Sequence, residues 1–174
     1  AAGPIGQPIR EELRDSAGVL LTCTRTTYLA YALGPTSFNK PDYVDARQYD
    51  PAAPGECSSG AVGDPVSGKV IQLFTNYDYD GYGNLVTVWD DGDRSTAKDD
   101  RKIVTQYYPN TTTSRWIVNK PARELEYSGI ASPTLLRETR YLYDGNAGWN
   151  AAPTQGALKK VMTGNTASPP DGAT

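Results

Sequence analysis

The stretch Lys69 to Asp90, KVIQLFTNYDYDGYGNLVTVWD, constrains this chain more than any other. Val70 to Tyr79 is rich in β-branched and aromatic residues, which suit a pleated, half-buried surface. Asp80-Gly81-Tyr82-Gly83-Asn84 is turn chemistry, with two glycines free to take a positive φ. Leu85 to Trp89 is apolar and β-prone again. Two such runs across a short Gly/Asp/Asn turn predict a β-hairpin. Alternation sets Ile71, Leu73, Thr75, Tyr77 and Tyr79 on one face and Val70, Gln72, Phe74, Asn76 and Asp78 on the other. Both faces carry apolar groups, so the hairpin is expected inside a larger sheet.

The 174 residues allow one domain or two small ones. With 12 Tyr, 17 Gly, 13 Pro and only 2 Phe, the composition favours short strands and many turns, and an all-β fold is expected. Arg10 to Arg14 is the only helix-compatible stretch, and it is too short to stand alone. The net charge of −3 argues against nucleic-acid binding, which needs clustered Lys and Arg. No run of about 18 apolar residues occurs, so no membrane-spanning helix is expected. Ala1-Ala2-Gly3-Pro4 is not a signal peptide, and the single methionine is Met162. The chain therefore reads as a processed product or a piece of something larger, as a repeat segment would be.

Other stretches follow the same plan. Gly6 to Asp15 leads through Ser16-Ala17-Gly18 into a long strand, Val19 to Tyr31. Gly34 to Gly68 holds five prolines and several glycines, so little regular sheet is expected there beyond a short strand at Tyr43 to Tyr49. It reads as a loop insertion decorating the hairpins. Asp90-Asp91-Gly92-Asp93 and Lys98 to Lys102 read as solvated loops. Ile103 to Tyr108, Arg115 to Asn119, Ala122 to Tyr127 and Thr134 to Tyr143 read as strands. The last ends in Tyr143-Asp144-Gly145, with its partner at Gly156 to Val161 after a small insertion. Residues 1–163 are expected to form one hairpin segment, and Gly164 to Thr174 a flexible tail or linker.

Tyr77-Asp78-Tyr79-Asp80, then Gly83-Asn84-Leu85, then Val88 resemble the signature of the Rhs/YD-repeat family, which includes bacterial Rhs proteins, the B and C components of insecticidal toxin complexes, and the teneurins. Tyr143-Asp144-Gly145 resembles the first half of that motif, and Asp15 to Leu20 a divergent copy of Asp80 to Leu85. The resemblance implies antiparallel hairpins joined edge to edge into an extended, twisted sheet. It implies a structural role in a secreted or cell-surface protein, as part of a shell around toxin cargo or of an adhesive scaffold. Its partners would be neighbouring repeats or identical subunits, and it implies no cofactor.

Chemistry-bearing patterns are sparse. The chain has no histidine, which excludes a His-based triad, and no nucleophile elbow or phosphate loop. Counted from Asp78, an EF-hand pattern places Asp80 at position 3 and Gly83 at position 6 but Tyr82 at 5 and Trp89 at 12, so it fails. Asp80 and Asn84 are expected to bond turn amides instead. Asp90, Asp91 and Asp93 read as a solvated acidic turn, and no metal site is expected. Glu11, Glu12, Glu124, Glu126 and Glu138 alternate with arginines, which predicts cross-strand ion pairs on a wet face and no catalytic pair. Cys23 and Cys57 either form one disulfide or remain two thiols. Asn110-Thr111-Thr112 fits the N-glycosylation pattern, relevant only in a eukaryotic secretory host. Tyr82, Trp89, Tyr107 and Trp116 could form a platform for a glycan or a protein in a stand-alone binding module. The competing reading is that they hold adjacent hairpins together.

Overall fold

A computed structural model describes residues 9–33, 36–52, 56–57, 70–112 and 114–165. It is all-β. The strands are β1 (Arg10–Arg14), β2 (Leu20–Leu33), β3 (Thr36–Tyr49), β4 (Val70–Tyr79), β5 (Leu85–Asp93), β6 (Arg101–Tyr107), β7 (Pro121–Ser128), β8 (Thr134–Tyr143) and β9 (Leu158–Gly164). They follow one another in chain order as a sheet of nine strands, with no helix among the described residues. The expected hairpins lie at β1/β2, β4/β5 and β8/β9. The segment expected at 1–8, most of the insertion beyond residue 52, Lys69 and the tail from 166 onward lie outside the described residues.

Four expectations are corrected. The first concerns the proline-rich segment. A 14-residue strand, β3, runs through 36–49, so this part is not a loop insertion. Pro41 fits because the β2–β3 register shifts beside it: Thr27 pairs with Tyr43 and Tyr28 with Pro41, which leaves Asp42 as the extra residue of a bulge. Second, Arg115 to Asn119 is not a strand. Asn110 and Ile117 exchange two backbone hydrogen bonds, each 2.9 Å, as an isolated bridge, and β7 starts only at Pro121. Third, Asp90 to Asp93 is no loop, because β5 continues through it, and just beyond, Arg94 N–H donates to Gln72 O at 2.9 Å. Fourth, the alternating Glu and Arg residues are not all on a wet face. Glu138 is buried.

The chain divides into two units, residues 1–77 with 89–100 and residues 78–88 with 101–174. In the first unit, register aligns Cys23 with Arg47 and Arg47 with Gln72, so all three share one face. The disulfide between Cys23 and Cys57 closes over that face, with Cα atoms 5.8 Å apart. Leu20, Cys23, Tyr49 and Cys57 form its apolar core, and the Tyr49 hydroxyl donates to Glu56 O at 3.2 Å. Under this cover lies an ion pair. Asp45 is fully buried, accepting from Arg47 Nη2 at 2.6 Å and from Gln72 Nε2 at 3.0 Å. The opposite face is open, and Ile71 and Leu73 are exposed there beside Thr22, Thr24 and Ala46, around a shallow hollow of about 260 Å³.

The second unit repeats the principle with different chemistry. Arg123 of β7 lies opposite Arg140 of β8, a like-charge pair that would repel if left alone. Both guanidinium groups lie against Oε1 of Glu138. Burial pushes the Glu138 carboxyl up, but the two arginines outweigh it and hold it below the usual range. Trp149, from the β8–β9 connection, lies over both guanidiniums at 5.1 and 5.3 Å.

Candidate functional site

Three turns share one construction. In the first, Asp15 N–H donates to Val19 O at 3.0 Å, and Asp15 Oδ1 accepts from Ala17 N and Val19 N at 2.8 and 2.9 Å. In the second, Asp80 N–H donates to Asn84 O at 3.0 Å, and Asp80 Oδ1 accepts from Tyr82 N and Asn84 N, both at 2.9 Å. In the third, Asp144 N–H donates to Ala157 O at 2.9 Å, and Asp144 Oδ1 accepts from Ala157 N at 2.8 Å. The residue before the closing position is a glycine at φ 82° (Gly18), 81° (Gly83) or 76° (Gly156), where a side chain would be strained. The residue after it is the leucine that opens the return strand, Leu20, Leu85 or Leu158.

The third turn differs by its inserted residues. Asp144 Oδ2 gathers them back by accepting from Thr154, Gln155 and Gly156 N at 2.6, 2.9 and 3.1 Å. These amides, Gln155 first, hold the Asp144 carboxyl well below the ordinary carboxylate range against a smaller desolvation effect. Asp144 itself has φ 57°, a left-handed conformation that Asp tolerates better than most residues. Gly145, beside it, is exposed at φ 79°.

Tyrosine hydroxyls add a second recurring contact. Tyr107 donates to Leu85 O at 3.2 Å and Tyr143 to Pro121 O at 3.0 Å, each reaching back 22 residues. In both cases a tyrosine at the end of an outgoing strand bonds the first carbonyl of an earlier return strand. Burial first, and then nearby negative charge, pushes the Tyr107 phenol up.

Three connections of the second unit, those after β4, β6 and β8, lock together. Asn84 Nδ2 donates to Val118 O at 2.7 Å as well as to Asp80 Oδ2 at 2.8 Å. Asn110 Nδ2 donates to Pro153 O and Arg115 Nη1 to Thr154 O, both at 2.9 Å. Tyr108 meets Trp149 edge to face at 5.8 Å. Gly156 lies against Lys120 and Ile117, where an added Cβ would come within 3.2 Å of Lys120 Cε. Tyr82 and Trp116 meet edge to face at 5.9 Å and 82°, with Trp116 67% and Tyr82 36% exposed.

The residues singled out from the sequence therefore separate. Tyr79, Asp80, Gly83, Asn84 and Leu85 build one turn, and Tyr143 and Asp144 another. Asp78 is exposed and accepts from Tyr79 N, while Tyr77 is half-buried in the first unit, its phenol pushed up by burial and by Asp90. Of the aromatic platform, Tyr82 and Trp116 come together. Tyr107 is turned inward to a carbonyl, and Trp89 is half-buried in the first unit. Trp149, Tyr108 and Arg115 belong to the loop cluster and carry no motif that would single them out in the sequence. Among the described residues no group of three or more His, Cys, Asp or Glu side chains is placed to hold a metal ion. No helix there is long and apolar enough to cross a membrane. Comparisons with protein-family models, with curated proteins and with solved structures find no match.

Proposed function

We propose that this chain is a structural segment of a secreted or cell-surface YD-repeat protein of Rhs type, supplying hairpins to a larger β-sheet shell or scaffold. One observation carries the reading: the same Asp-clamped, glycine-closed turn recurs at Asp15, Asp80 and Asp144. Recurrence of a turn down to individual hydrogen bonds is what an internal repeat produces, and repeat units bury their faces only against neighbours. The tyrosine hydroxyl contacts at a fixed spacing of 22 residues add to it. β1 and β9 stand at the two ends of the strand order, so among the described residues each pairs with one neighbour only. Such strands offer ladder positions to a neighbouring repeat or to an identical subunit. In this reading no residue is catalytic and no cofactor takes part.

Sedimentation of the full chain over rising concentration, combined with amide hydrogen exchange, tests the proposal. Reversible association with new protection confined to β1 and β9 is expected. A chain that stays monomeric to about millimolar concentration, with the amides of both strands exchanging freely, would overturn it.

A further inference from the structure

Trp116 is the most exposed large hydrophobic residue described, yet the residues on both sides of it are hydrogen-bonded. On its C-terminal side, Ile117 and Asn110 exchange two hydrogen bonds and Val118 O receives Asn84. On its N-terminal side, Arg115 N–H donates to Thr112 O at 3.0 Å, and the Arg115 guanidinium reaches Thr154 O. Tyr82 is fixed through its own N–H on Asp80. The indole meets Tyr82, and most of the residue faces solvent. A large aromatic surface held rigidly in water loses little conformational entropy on binding, which is how binding sites use Trp and Tyr.

We infer that Tyr82 and Trp116 form a binding ledge for the apolar face of a neutral pyranose ring in an oligosaccharide. Two rings with centroids 5.9 Å apart and planes at 82° stand as a floor and a wall. The apolar area is that of two side chains, far below the roughly 800 Å² per partner of a stable protein interface. The surroundings are hydrogen-bonding in character, since Thr111, Thr112, Ser114 and Arg115 are all exposed on the same loop. A pyranose presents a patch of C–H groups on one face and hydroxyls around its rim, and it matches both features. The inference does not depend on the shell reading, because the ledge exists within the second unit alone.

Isothermal titration of the full chain with cellopentaose, chitopentaose, xylopentaose and mannopentaose tests the ledge, with tryptophan fluorescence as a second readout. At least one oligosaccharide is expected to bind. Trp116→Ala and Tyr82→Ala are each expected to weaken it about tenfold or more, with Trp116→Phe recovering part of the loss. Tyr108→Ala, which removes an exposed ring in contact with Trp149, is the control and keeps the affinity. Thermal unfolding of each variant reports whether the fold persists, and Trp116→Ala is expected to melt with the parent. Absence of binding by all four sugars, or binding that survives both Trp116→Ala and Tyr82→Ala, overturns the inference.

Discussion

Asp45 and Asp144 show two ways of satisfying a carboxylate. Asp45 is out of water and relies on Arg47 and Gln72. Removing the carboxylate strands a buried guanidinium, so Asp45→Ala is expected to destabilise the chain by about 3–5 kcal/mol in urea unfolding, whereas the double change Asp45→Leu with Arg47→Met recovers most of it. Asp144 relies on backbone amides instead, which hold its folded carboxyl well below the usual range. A depressed folded pKa gives a contribution fully present above the unfolded value, about 3.9, and lost as pH falls from there toward the folded value. The stability gap between the parent and Asp144→Asn is therefore expected to be widest near neutral pH and to shrink toward about pH 2, read from urea midpoints at several pH values. A gap independent of pH would refute the amide clamp. At this scale the sequence was partly legible. Asp80 and Asn84 on turn amides follow from residue type, while the burial of Asp45 does not. Asp45 and Arg47 lie two apart on one strand face, a spacing that equally fits an exposed ion pair. What hides them is the disulfide of Cys57 to Cys23 on the neighbouring strand β2, a pairing that the local sequence does not announce.

At the scale of the element, the turns set the register. Gly83 sits at φ 81°, so Gly83→Ala is expected to cost about 1 kcal/mol or more from backbone strain, and Asn at the same position less. Tyr143→Phe removes a hydroxyl that donates to Pro121 O and should cost about 0.5–1.5 kcal/mol. Both are read as shifts in denaturant midpoint at unchanged slope. The strands at 70–89 and 134–143 were legible because β-branched and aromatic runs flank recognisable turn residues, whereas the continuation of β5 through Asp90 to Asp93 was hidden by its acidic composition. Of β3 only Tyr43 to Tyr49 was legible, because Pro41 argues against a longer strand unless a bulge receives it, and a bulge depends on the partner strand's register. The indole of Trp149 over Arg123 and Arg140 was equally hidden, since nothing local tells a loop tryptophan what it will cover.

At the scale of the whole chain, one covalent link and one recurring turn stand out. The Cys23–Cys57 disulfide spans 34 residues, for which loop-closure entropy gives about 3–4 kcal/mol. Cys23→Ser with Cys57→Ser is expected to lose stability of that order and to raise amide exchange around Asp45 and Arg47. Unchanged exchange there would mean that the cover holds without its bond. Two cysteines and no histidine made the pairing conceivable from sequence, but only the placement of Cys57 against β2 decides it. The recurring turn has a different consequence. The hydrogen bonds common to all three tie the aspartate to the closing residue, while the span between them varies: short at Ser16–Gly18 and Gly81–Gly83, long at 145–156. The turn thus works as a socket. The strands see the same closure whatever is plugged in, so new loops can be exchanged at these positions while the register of the ladder is left undisturbed.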